Sequence, residues 1–200
     1  MINIIEGRRS HRSFNDKKVT KGTIHILLDI VKYAPTNSNS QDTKIIVLRN
    51  ENIIKNISNL TVDQYKRKSY EQKFGKHLSE KWAEYGDPLV KSRDKGFNPI
   101  FYKAPVVLIF HATKEKLMKK DNCVIASTIV SLAAREVGLE TSYMGLFELV
   151  CNDINSWESI SIHKELNIPE TNQIYCALIM GYPKKKLDDI KRKPVDITWI

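Results

Sequence analysis

The stretch APVVLIFHA, residues 104–112, is rich in β-branched and apolar side chains and is short enough for a central strand. A second apolar run, IYCALIMGYP at 174–183, predicts another buried strand, which ends at Gly181 and Pro183. TKIIVL at 43–48 predicts a third buried strand. Together these runs predict a sheet whose strands are largely buried.

Apolar residues at helical spacing predict helices between and after the strands. Residues 20–34 form one such pattern, and its helix should stop where Pro35 disfavours the helical conformation. Another helix is predicted near residues 156–166.

Residues 121–138 predict a helix that is apolar over much of its circumference. Asp121 or Asn122 could cap its start, and Gly138 could end it. Because it has no wide polar face, we expect this helix to be buried on several sides, and a subunit interface is one location that would bury it.

Two segments fall outside this pattern. The charged and aromatic stretch 63–99, broken at GDP (86–88) and KGFNP (95–99), is interpreted as a helical excursion away from the main core. The tail 184–200 is polar until VDITWI (195–200), where alternation predicts a last strand. That strand would dock on a sheet edge of this chain or of a neighbour.

Helices outnumber strands and do not alternate regularly with them, so the predicted class is α+β. A chain of 200 residues with 42% hydrophobic content can bury one substantial core, which favours a single domain over residues 1–200. GxGxxG and GxxxxGK[ST] motifs are absent from the sequence, as is the HExxH spacing of a metal site.

The net charge of +9 makes nucleic acid and acidic membranes conceivable partners. The lysines, however, are mixed with 23 acidic residues along most of the chain, which is typical of a solvated surface. No apolar run reaches the roughly 20 residues that a membrane helix needs, and the first residues do not read as a signal peptide. We therefore expect a cytoplasmic protein without a nucleic-acid or membrane partner and without a metal.

The cluster GRRSHRSF, residues 7–14, places Arg8, Arg9 and Arg12 around Ser10. Guanidinium groups at this density suit forked hydrogen bonds to a phosphate-sized anion. The alternative is a basic turn that only meets solvent or acidic neighbours, and the spacing alone gives the two interpretations similar weight.

Two further stretches could contact a flat ligand. In APTNSNSQ, residues 34–41, the side chains of Asn37, Asn39 and Gln41 each offer donors and acceptors for the edge of a heterocycle. In YMGLF, residues 143–147, Gly145 would permit close approach of backbone N–H groups. A plain polar turn and a strand-end bulge are the alternatives.

Several motifs follow one another along the chain: RRSHRSF, APTNSNSQ, KAPVVLIFHA, AAREVGLE, YMGLF, LNIPE and ALIMGYP. In this order they resemble the FMN-dependent nitroreductase family, over nearly the whole chain. The resemblance implies a nitroreductase-like fold with a central, mostly antiparallel sheet flanked by helices. It also implies an intertwined homodimer with FMN at the subunit boundary and a C-terminal tail that wraps the partner.

The resemblance implies a set of cofactor-binding residues. The first group would bind the FMN phosphate and consists of Arg8, Arg9, Ser10, Arg12 and, near the C-terminus, Arg192, with Lys191 or Lys193 as alternatives. The second group would lie against the flavin and consists of Pro35, Thr36, Asn37, Asn39, Gln41, Met144 and Gly145. Asp42 and Thr43 depart from the family, in which many members have Pro-Trp at this place.

The resemblance further implies that NAD(P)H reduces FMN, which then reduces a nitroaromatic, a quinone or a similar small electrophile in a ping-pong cycle. No side chain would act as a catalytic acid or base, because the cofactor carries the chemistry. Alternatives on the same scaffold are reductive dehalogenation, azoline oxidation, flavin breakdown and flavin-based redox sensing. A basic nucleic-acid-binding module is the alternative from a different class.

Overall fold

A computed structural model describes residues 1–75, 82–115, 117–188 and 190–200. The α-helices in these ranges are α1 (Ile2–Glu6), α2 (Lys21–Asp29), α3 (Glu51–Lys73), α4 (Trp82–Asp94), α5 (Lys119–Glu136), α6 (Gly145–Asn152) and α7 (Trp157–Glu165). Two short 3-10 helices span Ile30–Tyr33 and Asn37–Asn39. Among the described helices, none is long and apolar enough to cross a bilayer.

The strands are β1 (Lys44–Leu48), β2 (Val106–Thr113), β3 (Glu140–Tyr143) and β4 (Asn172–Gly181). They form a sheet of order β1-β2-β4-β3 in which every neighbouring pair is antiparallel. This confirms the α+β class, the antiparallel sheet and the central position of β2.

The two faces of the sheet bury two separate apolar clusters, which makes three layers. Val107 and Ile109 of β2 face one cluster, with residues of α3, α4, α6 and α7. Leu108 and Phe110 face the other, with residues of α2 and α5. Because successive side chains point to opposite faces, covering both faces accounts for the continuous apolar run that identified β2.

Two predictions about the outer elements are wrong. β1 is an edge strand with half-exposed side chains rather than a buried one. GDP does not break a helix: α4 runs through it, and a Cβ on Gly86 would lie 2.5 Å from the Cβ of Ser69 on α3. The glycine therefore allows α3 and α4 to pack closely.

The helices of the 63–99 stretch do not extend away from the core. Tyr65 and Trp82 are buried in the same apolar cluster as the sheet residues, and their rings pack with centroids 4.7 Å apart. Residues 76–81 of this stretch lie outside the described residues. The described part of the tail, 184–188 and 190–200, forms no strand, so the last predicted strand is absent from this chain's own sheet.

Candidate functional site

The arginine-rich segment runs along the edge of the sheet. Ser10 forms a parallel bridge with Thr141 of the edge strand β3, and the backbone N–H of His11 donates to the Thr141 carbonyl at 3.0 Å. The Thr141 hydroxyl in turn lies 2.6 Å from the Ser131 hydroxyl on α5. Because an edge strand has unpaired backbone groups, it can hold an extended segment in this way.

Three of the predicted phosphate ligands line one cleft of about 630 Å³. Arg8 and Arg9 come from the segment after α1, and Arg192 comes from the C-terminal tail. The Arg9 guanidinium donates to the carbonyl of Asp188, and Nη2 of Arg192 donates to the carbonyl of Arg8 at 3.4 Å. We call this place the arginine cleft.

The arginine cleft is suited to an anion. Among the described residues, no carboxylate lies within ion-pair distance of Arg8, Arg9 or Arg192, although Glu6 also lines the cleft. Backbone carbonyls orient the guanidinium groups of Arg9 and Arg192 without neutralising them. Their charges therefore remain available for a phosphate.

Ser10 and Arg12 are not among the residues that line the cleft. The backbone of Ser10 forms the bridge to β3 while the residue stays exposed, and the guanidinium of Arg12 lies over the Tyr102 ring, 5.7 Å from the centroid. Their predicted roles at the phosphate stay predictions.

His11 connects the arginine segment to a buried ionic group. Its Nε2 lies 3.7 Å from Oε2 of Glu140, whose Oε1 accepts from Arg135 at 2.5 Å. Burial lowers the pKa of His11, Glu140 opposes this effect, and Arg135 and Arg9 lower it further. The charge at Arg9 is thus felt at His11.

The asparagine-rich loop has an unusual backbone. Ser38, Asn39 and Gln41 have φ angles of 50°, 53° and 43°, the left-handed region that costs non-glycine residues about 1–2 kcal/mol each. Nε2 of Gln41 donates to Oδ1 of Asn39 at 2.7 Å, and the Gln41 backbone N–H donates to the Thr36 hydroxyl at 3.1 Å. These contacts fold the loop back on itself.

The first turn of α5 holds this loop. Oδ1 of Asn122 accepts from the backbone N–H of Asn37 at 3.2 Å, and its Nδ2 donates to the Ser40 hydroxyl at 3.3 Å. The ammonium of Lys119 pairs with Oδ2 of Asp42, whose Oδ1 accepts from Ser40 at 3.0 Å. We call Ser40, Asp42, Lys119 and Asn122 the loop anchor.

Sequence reasoning missed the role of Lys119 and misassigned that of Asn122. α5 begins after Met118, which makes no side-chain cap, so the predicted caps at Asp121 and Asn122 are wrong. One sequence signal could have pointed to these residues: they are polar side chains on a helix that is otherwise largely apolar. A buried polar side chain needs a hydrogen-bonding partner. The loop partner of Asn122 lies 85 residues away in sequence.

Met144 and Gly145 lie where β3 passes into α6. The Met144 backbone N–H donates to the carbonyl of Ala177 at 2.9 Å, and outside its chain neighbours and the adjacent backbone of α6 no described atom lies within 4 Å of where a Cβ on Gly145 would be. Gly145 therefore has open space beside it, as the prediction of a flat ligand requires.

Glu148, one turn after Gly145, is a charged residue that motif reasoning did not find. It accepts from the Tyr143 hydroxyl at 2.5 Å and pairs with Lys120 at 2.8 Å. Burial and the hydrogen bond to Glu148 raise the pKa of Tyr143 well above its usual range. The ion pair ties the first turn of α6 to the first turn of α5.

The two groups of predicted ligands attach to opposite ends of α5. The loop bonds to Asn122 near its start, whereas a Cβ on Gly7, next to the arginine cleft, would lie 2.8 Å from Nη2 of Arg135 near its end. Asn122 and Arg135 are 13 positions apart in the helix, which separates them by about 20 Å along its axis. Within one chain, the loop and the arginine cleft are therefore attached to opposite ends of this helix.

Comparisons with known proteins agree with this fold. The sequence model of the Nitroreductase family matches residues 5–182. The 4-nitrobenzoate reductase of Pseudomonas putida is 28% identical over 202 residues, covering 90% of this chain and 83% of the relative.

Solved structures give the same picture. A nitroreductase with bound FMN from Bacteroides fragilis superposes with a TM-score of 0.78 at 18% identity, covering 100% of this chain and 97% of that one. An iodotyrosine deiodinase bound to FMN and 3-iodo-L-tyrosine gives a TM-score of 0.73 at 17% identity, covering 100% and 98%. The match over residues 5–182 shows that the chain belongs to the Nitroreductase family.

Proposed function

We propose that this chain is an FMN-dependent oxidoreductase that uses NAD(P)H to reduce nitroaromatic, quinone or similar electrophilic acceptors in a ping-pong cycle. The observation that carries the proposal is the arginine cleft, where cationic side chains from distant parts of the sequence meet with no described carboxylate paired to them. Bound FMN would supply the electron-transfer chemistry that the side chains lack.

The residues present fit FMN at both of its ends. Arg8, Arg9 and Arg192 offer guanidinium donors for its single phosphate. Asn37, whose side chain is exposed, offers an amide to the edge of the ring, and the open space at Gly145 leaves room for its face. Backbone N–H groups near Gly145 would stabilise negative charge on the reduced ring.

The separation of these groups supports a homodimer. The loop and the cleft are attached about 20 Å apart along α5, so the two groups of predicted ligands lie at opposite ends of this helix within one chain. We propose that the arginines of one subunit and the loop of its partner form each site. The exposed apolar tail, in which Trp199 is 89% exposed, would then cover the partner.

Flavin binding and turnover test the activity. We expect the purified chain to quench FMN fluorescence stoichiometrically, to bleach with NADH or NADPH under anaerobic conditions and to regain colour when a nitroaromatic or quinone is added. A chain that binds FMN but resists both nicotinamides would contradict the oxidoreductase proposal and favour a sensor. A chain that binds no FMN would contradict the proposal altogether.

Subunit mixing tests the shared site. Arg9→Ala/Arg192→Ala removes the cleft cations, and Asn37→Ala/Gln41→Ala removes loop donors. If each site is shared, a mixed dimer of these two variants regains one intact site, so equal mixing restores about one quarter of the sites. If each site lies within one chain, mixing restores none, which would contradict the shared site.

A further inference from the structure

We infer that Lys119 and Asn122 are positioning residues, which hold the loop 36–42 in the shape that meets the flavin ring. Neither side chain is expected to touch the cofactor. The inference rests on the proposed function for its consequence, but the anchor itself can be tested without FMN.

The burial of the two side chains is the first argument. The Lys119 side chain is 2% exposed and Asn122 is 1% exposed, although both belong to polar residue types that are mostly found at the surface. All the side-chain partners described for Lys119 and Asn122 lie in the loop. Their burial therefore serves the loop rather than α5 itself.

The bonding pattern is the second argument. Asn122 uses its acceptor for the Asn37 backbone and its donor for Ser40, so one side chain joins two points of the loop. Lys119 binds Asp42 at the loop's last residue, and Asp42 also accepts from Ser40. The loop is thus held near its beginning, its middle and its end.

The need for such an anchor is the third argument. Ser38, Asn39 and Gln41 have left-handed backbones and exposed side chains, so apolar burial cannot stabilise their conformation. A strained backbone persists only where surrounding contacts determine it. The loop anchor supplies those contacts.

Asp42 links this inference to a departure from the family. Many members resembling this chain have Pro at the place of Asp42, where ring closure restricts the backbone. Here a carboxylate stands instead, and the buried Lys119 provides the opposite charge that it needs. In this chain the Asp42–Lys119 ion pair, instead of a proline ring, restricts the conformation at the end of the loop.

A double-mutant cycle on FMN affinity tests the positioning role. Asp42→Asn, Lys119→Met and the double variant are compared by fluorescence quenching. We expect each single change to weaken FMN binding at least about tenfold, or 1.4 kcal/mol, and the double change to cost less than their product. The exposed pair of Asp29, at the end of α2, and Lys32, in the following 3-10 helix, serves as a matched control, because its Asp29→Asn/Lys32→Met cycle should leave FMN affinity unchanged.

Hydrogen exchange in the FMN-free chain gives a second readout. We expect Asn122→Ala to speed exchange of the Asn37 amide and its loop neighbours while exchange in β2 and β4 stays unchanged. A variant that instead loses protection throughout the sheet would show a general structural role and overturn the inference. Unchanged exchange in the loop would overturn it as well.

The two proposals fail differently. If the wild-type chain binds no FMN, the proposed function fails, while loop exchange still decides whether the anchor holds the loop. If wild type binds FMN and the cycle shows additive or absent effects, the positioning inference fails and the proposed function stands.

Discussion

The two ends of α5 hold their neighbouring segments in opposite ways. At its start, the loop anchor surrounds a buried lysine with side-chain hydrogen bonds and an ion pair. Near its end, the arginine cleft is open, and Arg9 and Arg192 bond only to backbone carbonyls among their described partners.

The loop anchor and the arginine cleft therefore differ in whether a described carboxylate pairs with their cationic side chains. In the loop anchor, the lysine charge already has its carboxylate, so a ligand would meet exposed amides in a preset shape. In the arginine cleft, no carboxylate among the described residues pairs with the arginines, so an incoming anion could supply that partner. One end is therefore suited to orient a ring and the other to bind a phosphate.

The largest effect is expected at the arginine cleft. Arg9→Ala/Arg192→Ala removes two charge-assisted contacts at about 1.5–3 kcal/mol each, so FMN affinity should fall by roughly 100-fold or more. Equilibrium dialysis measures this. The control is Lys55→Ala/Lys66→Ala on α3, which removes the same net charge from exposed positions. Equal losses in both variants would mean that only overall charge matters.

The next effect concerns stability at the loop anchor. Asp42→Asn leaves the buried ammonium of Lys119 without its carboxylate, and we expect the free energy of unfolding to fall by about 3 kcal/mol. Urea titration of the FMN-free chain measures this change. Asp29→Asn breaks an exposed, solvent-screened pair and should cost much less. Similar values for both variants would show that the ion pair of the loop anchor contributes no more to stability than an exposed pair does.

Arg12 gives a sharper comparison within the arginine segment. The family resemblance predicts a phosphate contact, so Arg12→Ala should weaken FMN binding by about 1.5–3 kcal/mol. The guanidinium lies over Tyr102 in the described chain, so Tyr102→Leu should leave FMN affinity unchanged if Arg12 turns to the phosphate. Equilibrium dialysis with unchanged affinity for Arg12→Ala would remove this residue from the site.

The smallest expected effect is a change at His11. Arg9 contributes to the lowered pKa of His11, and a bound phosphate would offset the charge of Arg9. FMN binding should therefore raise the pKa of His11, which an NMR titration of its ring proton can follow. In Arg9→Ala this FMN-dependent rise should disappear. A rise that persists in the variant would assign the effect to another group.

Local pattern predicted the core of the fold better than its margins. APVVLIFHA identified β2 because both faces of that strand are covered, which leaves a continuous apolar run. TKIIVL has similar composition but forms the edge strand β1, because composition does not say how many neighbours a strand has. Gly86 signalled a break because its packing against Ser69 is not visible in the local sequence.

The candidate site was predictable as motifs but not as an arrangement. A dense arginine cluster indicates an anion site from its chemistry alone. The contact between Arg192 and Arg8, however, joins residues 184 positions apart, which local sequence does not reveal. Likewise, the pairing of Asp42 with Lys119 spans 77 positions, and no local rule selects that lysine among the many. Only the family resemblance pointed to Arg192 in advance.

The arginine cleft also has a consequence for synthesis of the protein. Because Arg8 and Arg192 are 184 residues apart, a nascent chain must wait roughly 10–40 s between making the first and the second, at typical translation rates. During that interval Arg8 and Arg9 are present without Arg192, so the arginine cleft cannot form. If the cleft binds the FMN phosphate as proposed, tight flavin binding should follow translation of the Asp188–Arg192 segment, and ribosome-bound chains that stop short of it should bind flavin more weakly.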